Sequence, residues 1–249
     1  MRLAAYGVLA IVLLVVALCK RVGTGSVTER RFAMVPPWQP APLEGGDTAR
    51  FRAAHRCFLR AVAKTQPELI FIGDSITAGW LSEGRRVWRR LFESRRPINL
   101  GIPGDTTQGV LWRIANGELD GTEPRAIVLL IGTNNIPQPS APAEIARGIV
   151  ACVDAIRAKQ PACNVVLLGV LPRGLERADP GRAAAAAINA RLAQTAFGPS
   201  VSYLDMSQLF VQPSGELSKG LYRDGLHLTA AGYAACAPVI DARLRELGV

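Results

Sequence analysis

Five short apolar runs punctuate the chain beyond residue 67: Glu68–Gly73 (ELIFIG), Ile98–Gly101, Ala126–Gly132 (AIVLLIG), Asn164–Val170 (NVVLLGV) and Val201–Leu204. They are continuous rather than alternating and rich in Ile, Val and Leu. That pattern predicts strands covered on both faces. Between them lie stretches with helical patterning: Thr48–Thr65, Trp80–Ser94, Thr107–Asn116, Ala143–Lys159, Arg182–Phe197 and a last helix after Thr229, a residue suited to cap it. Strand–helix alternation of this kind predicts an α/β fold. Its expected form is a three-layer α/β/α sandwich with a five-stranded parallel sheet, flavodoxin-like, over residues 48–249. Such sheets bind ligands beyond the carboxyl ends of their strands. Chemistry is therefore expected at Gly73-Asp74-Ser75, from Gly101 to Gly104, at Gly132-Thr133-Asn134, and in the loops after Val170 and Leu204.

The chain begins differently. Leu3 to Cys19 carries no charge, with Arg2 before it and Lys20-Arg21 after it. As a helix those residues would span roughly 25 Å, and flanking Arg and Lys can reach the interface. No polar stripe interrupts the run, as a soluble helix would require. Residues 1–21 are expected to be a transmembrane anchor or signal segment. Ala17-Leu18-Cys19 matches a cleavage site poorly, which favours an uncleaved anchor. Residues 22–47, with Pro36, Pro37, Pro40 and Pro42, read as a tether. This order places the globular domain outside the cytoplasm on the periplasmic side, or in secreted form if the segment is cleaved.

The 249 residues are 49% hydrophobic and 6% aromatic, which excludes a disordered chain and makes any core chiefly aliphatic. Net charge is +9, from 29 Lys+Arg against 20 Asp+Glu. Only Lys20, Lys64, Lys159 and Lys219 are lysines, and the arginines are scattered in short pairs. That dispersal reads as composition and solvation, with some attraction to acidic glycans or phospholipid headgroups. No aromatic–basic interleaving points to a nucleic-acid partner. The five cysteines form no CxxC pair, and the two histidines, His55 and His227, form no metal-ligand motif, so no metal site is expected.

Ser75 directly follows the first strand at a turn into a helix, a place for an exposed nucleophile or for a simple helix cap. Thr77 stands where a GxSxG elbow would have its second glycine. A serine nucleophile needs a base. His55 lies in the first helix among arginines and is expected on its surface face. His227 lies in YRDGLHLTAAGY, with Asp224 three residues before it. That spacing lets a carboxylate hold one imidazole nitrogen while the other faces the serine. Gly104 and Asn134, each after a strand, can supply hydrogen-bond donors for a developing oxyanion.

Gly73–Ser75 (GDS), Gly104, Gly132–Asn135 (GTNN) and Asp224–His227 (DGLH) together resemble the four blocks of the SGNH (GDSL) hydrolases, from about Glu68 to the end of the chain. Within that family, NLGIPGDTTQGVLWRIANGEL and LLGVLPRG are similar to the catalytic-subunit branch of the platelet-activating-factor acetylhydrolases. The resemblance implies a serine esterase with Ser75 as nucleophile, His227 as base and Asp224 as its carboxylate. It further implies an oxyanion hole of Ser75, Gly104 and Asn134, an acyl pocket near Ile76, Thr133 and Leu226 suited to acetyl esters, no cofactor, and pairing as a homodimer. Pro103 stands where the family has glycine. An anchored domain points to an O-acetylated glycan or lipid as the ester substrate. The same site could serve an O-acyltransferase. An inactive membrane-tethered binding domain would be expected to have lost one of these residues.

Overall fold

A computed structural model describes residues 35–43 and 47–249; the expected anchor Leu3–Cys19 and most of the expected tether lie outside the described residues. Helix α1 (Thr48–Thr65) precedes β1 (Leu69–Gly73), which runs into a one-turn helix, α2 (Ser75–Ala78). Then follow α3 (Arg85–Leu91), β2 (Pro97–Gly101), α4 (Thr107–Ala115), β3 (Ala126–Leu130) and α5 (Pro142–Lys159). The chain closes with β4 (Asn164–Leu168), α6 (Pro180–Ala193), β5 (Val201–Leu204), α7 (Ser207–Phe210) and α8 (Ala230–Glu246). The five strands form one parallel sheet in the order β2-β1-β3-β4-β5.

Strand residues alternate between two apolar layers. Ile70, Ile72, Ile127, Leu129, Val165 and Leu167 face α1, α4, α5 and α6. Leu69, Phe71, Val128, Leu130, Val166 and Leu168 face α3 and α8. Every residue of β1 and β3 is buried, as continuous apolar runs require. At the sheet edge β5 is only half-buried.

Several boundaries differ from the sequence expectation. The helix expected over Trp80–Ser94 is broken into 3-10 turns at Gly79–Leu81 and Glu93–Arg95 around the shorter α3. Gly84 is pressed so closely to Trp80 and Tyr233 that a Cβ there would lie 2.9 Å from both side chains, so packing decides the break. The helix expected from Arg182 starts two residues earlier, because the Asp179 side chain accepts the Gly181 amide and Pro180 suits the first turn. His55, expected on the surface, is buried: its Nδ1 lies 3.2 Å from Glu118 Oε2 and its Nε2 3.1 Å from Asn116 O. The described part of the expected tether, 35–43, is not free; it lies along α4 and α5, with Leu43 in the core. Among the described residues, no helix is long and apolar enough to cross a membrane.

Candidate active site

Strands β1 and β3 are neighbours, and β2 flanks β1 on the outside. The chain therefore leaves β1 and β3 in opposite directions, opening a crevice beyond their carboxyl ends. Ser75 sits at its floor. Gly73 is required there, since a Cβ would lie 2.2 Å from both Leu130 O and Thr77 Oγ1. The helix cap is Asp74, whose Oδ1 accepts the Ile76 amide at 2.9 Å, so the Ser75 hydroxyl is left for other work. From α8, Tyr233 donates its hydroxyl to Ile76 O at 2.7 Å and pins the turn. Burial pushes the Asp74 carboxyl up to about 7.

His227 arrives from the loop before α8. Ser75 Oγ lies 3.0 Å from His227 Nε2, and His227 Nδ1 lies 2.7 Å from Asp224 Oδ2. Asp224 Oδ1 also accepts the amides of Leu226 at 3.0 Å and His227 at 2.7 Å. Gly225 makes this tight turn possible with φ 77°. The loop is closed by an antiparallel bridge between Tyr222 and Leu228 and by the Tyr222 hydroxyl donating to Pro172 O at 2.7 Å. Partial burial alone would raise the Asp224 pKa. The hydrogen bonds from the His227 amide and ring and the Leu226 amide outweigh it and hold the carboxyl below its ordinary range. The His227 and Asp224 side chains remain 32% and 44% exposed, so water reaches the pair.

The loops after β2 and β3 carry Gly104 and Asn134, the two residues expected to supply donors. Gly104 has φ 81°, which a side chain would resist, and follows Pro103 in the loop after β2. Asn134 lies in a 3-10 turn, Thr133–Asn135, after β3. Its Nδ2 donates to Asp105 O at 2.8 Å, which joins the loops after β2 and β3 and uses one of its two amide hydrogens. A hydroxyl bonded to a carboxylate-held imidazole can attack a carbonyl carbon.

The expected acyl-pocket residues are spread differently from one another. Ile76 is buried in the apolar layer shared with α3 and α8, and Leu226 is half-buried against that layer. Thr133 is buried, and both its carbonyl and hydroxyl accept from Arg173, at 2.7 and 3.1 Å. Beyond Leu226 and Asp224 a cavity of about 470 Å³ opens, lined also by Arg173, Leu175, Glu176 and Asp179. Among the described residues no cluster of His, Cys, Asp and Glu could hold a metal ion.

Sequence reasoning missed three supports. Arg173 follows the β4 end already marked for chemistry, in LPRG. Asn135, fully buried, bonds Thr107 and Gln108. Arg113, fully buried, donates to Leu100 O at 2.8 Å and pairs with Asp105 and Glu118 at 2.9 and 2.5 Å. Arg113 and Asn135 stood within the resemblance strings without a role attached.

Residues 71–235 match the GDSL-like Lipase/Acylhydrolase family model. Platelet-activating factor acetylhydrolase IB subunit alpha2 of Homo sapiens is 37% identical over 206 residues, covering 82% of this chain and 86% of that one. Platelet-activating factor acetylhydrolase IB subunit alpha1 of Bos taurus is 34% identical over 215 residues, covering 85% and 90%. The crystal structure of a GDSL-like lipase from Bacteroides thetaiotaomicron VPI-5482 superposes with a TM-score of 0.65 at 22% identity, covering 80% of this chain and 98% of that one, a likeness of fold.

Proposed function

The chain belongs to the GDSL-like lipase/acylhydrolase family and is a carboxylic ester hydrolase; we propose that it removes short acyl groups, chiefly acetyl, from a lipid or carbohydrate through an acyl-enzyme on Ser75. The observation that carries this reading is the 3.0 Å contact between Ser75 Oγ and His227 Nε2, with Asp224 on the far side of the ring. In this mechanism Ser75 Oγ attacks the ester carbonyl carbon as its proton passes to His227 Nε2. The oxyanion is met by the Ser75 and Gly104 amides and by Asn134 Nδ2. His227 then protonates the departing alkoxide. It next takes a proton from water as that water attacks the acyl carbon, and returns the proton to Ser75 Oγ as the acyl–oxygen bond breaks and the acid leaves. Asp224 stays ionised throughout and stabilises the imidazolium.

Acetyl is favoured because the curated relatives are named acetylhydrolases. The exposure of His227 and Asp224 gives water the access to the acyl-enzyme that hydrolysis requires. The apolar run Leu3–Cys19 supports an anchored domain outside the cytoplasm, which membrane fractionation tests by following the full-length chain.

The test of the reaction is hydrolysis of p-nitrophenyl acetate, butyrate and octanoate. Turnover should fall with chain length, and Ser75→Ala should lose at least about 10⁴-fold in kcat. Turnover retained by folded Ser75→Ala would remove the nucleophile and the mechanism with it.

A further inference from the structure

Residues 35–43, ahead of the first helix, form a strap across α4 and α5. The strap turns at Pro36–Gln39, where the Gln39 amide donates to Pro36 O at 2.9 Å. Trp38 lies under the Arg147 guanidinium, 4.0 Å from ring centre to Cζ. Pro37 is seated on Gly148, where a Cβ would lie 2.6 Å from Pro37 O. Leu43 closes the strap by entering the core.

Between these anchors the strap grips one side chain at both its amide and its backbone. Gln108 Nε2 donates to Val35 O at 2.9 Å, and the Ala41 amide donates to Gln108 O at 3.1 Å. The opposite face of the Gln108 amide points into the protein, where Oε1 accepts from Asn135 Nδ2 at 2.7 Å and from Thr107 Oγ1 at 3.1 Å. Asn135 Oδ1 in turn accepts the Thr107 amide at 3.1 Å. Asn135 is the chain neighbour of Asn134, whose Nδ2 bonds Asp105 O.

An amide has one donor end and one acceptor end. With the strap in place, Val35 O takes the donor end, so the acceptor end must face Asn135. With the strap gone, Gln108 Nε2 and the Gln108 backbone carbonyl both lose a partner, and the side chain is held at its acceptor end alone, by Asn135 and Thr107. Thr107, Gln108 and Asn135 are buried, where an unmatched amide is costly.

We propose that the 35–43 strap is a working part of the site, with Gln108 as a positioning residue that carries its hold through Asn135 to Asn134. This rests on the reading of Asn134 as an oxyanion donor. A donor that must meet charge in the transition state loses effect when its turn is loose, so the strap should act on kcat more than on KM.

The test uses the full chain. Gly148→Val drives side-chain atoms into Pro37 and lifts the strap. Trp38→Ala loosens it more gently and is half-exposed, so folding is retained. Gln108→Leu breaks the relay and frees Val35 O, while the Ala41 amide, Pro37 and Leu43 still hold the rest of the strap. With p-nitrophenyl acetate, Gly148→Val and Gln108→Leu should each lower kcat about tenfold, the loss of part of one oriented donor, with KM within about twofold. The double variant should be no worse than either alone, because both cut one path. Val62→Ala, a core change away from the strap, controls for lost stability and should leave kcat unchanged. Lifted-strap variants with full kcat, or a double variant whose losses multiply, would overturn the relay. Absence of Ser75-dependent turnover in the unmodified protein would instead overturn the functional reading, and the relay with it.

Discussion

Asp224 holds His227 twice: Oδ2 lies 2.7 Å from the ring Nδ1, and Oδ1 accepts the backbone amide of the same residue at 2.7 Å. One carboxylate thus sets both where the histidine stands and how its ring is turned. Asp224→Asn keeps an oxygen for the amide but offers NH₂ to Nδ1, which selects the wrong tautomer. By analogy with other Ser-His-Asp enzymes, kcat should fall about 10³–10⁴-fold while the circular dichroism spectrum is unchanged. A fall of less than tenfold in p-nitrophenyl acetate hydrolysis would remove Asp224 from the mechanism.

Asn134→Ala removes an amide that bonds Asp105 O through one of its two hydrogens. The loss should be about 3 kcal/mol in transition-state stabilisation, roughly 10²-fold in kcat, with KM nearly constant. Steady-state kinetics separate the two. An effect confined to KM would make Asn134 a ground-state contact instead.

Glu118 joins two buried side chains, Arg113 at 2.5 Å and His55 at 3.2 Å. Arg113 also ties down Leu100 O, at the end of β2. Glu118→Ala leaves Arg113 with Asp105 alone and should cost about 3–5 kcal/mol, the usual result of removing one partner of a buried pair. Urea unfolding measures it, and a cost under about 1 kcal/mol would show that the network does not hold the fold.

Burial raises the Asp74 carboxyl to about 7, and Oδ2 has no hydrogen-bond partner among the described residues. An acid with a higher pKa folded than unfolded binds its proton more tightly in the fold. Its contribution to stability is complete below the unfolded value of about 3.9 and is lost as pH rises through 7. The urea midpoint should therefore drop between pH 5 and pH 8. In Asp74→Asn the cap to Ile76 survives through the amide oxygen, and the drop should shrink. An unchanged drop would assign the titration to another group.

Much of the architecture was legible from local pattern alone. Continuous apolar runs mark β1 and β3 because both faces of a strand covered by helices must be apolar, and strand-end glycines mark the crevice because backbone crowds there. Ser75, Gly104 and Asn134 were marked as candidates because each follows a strand end, and the Asp224–His227 pair by its spacing in the loop before the last helix. What the sequence could not specify is which distant groups meet. Ser75 and His227 are 152 residues apart, and only the parallel sheet brings them within 3.0 Å. His55 reads as a surface residue from its arginine neighbours, and becomes buried because Glu118, 63 residues away, supplies its partner. Residues 35–43 read as a proline-rich tether, and become a strap because Gly148 leaves room for Pro37 and Gln108 needs a partner for its amide. Periodicity reports the environment along one element; pairing of polar groups between elements is decided by shape and hydrogen-bond matching, which exist only once the chain has folded.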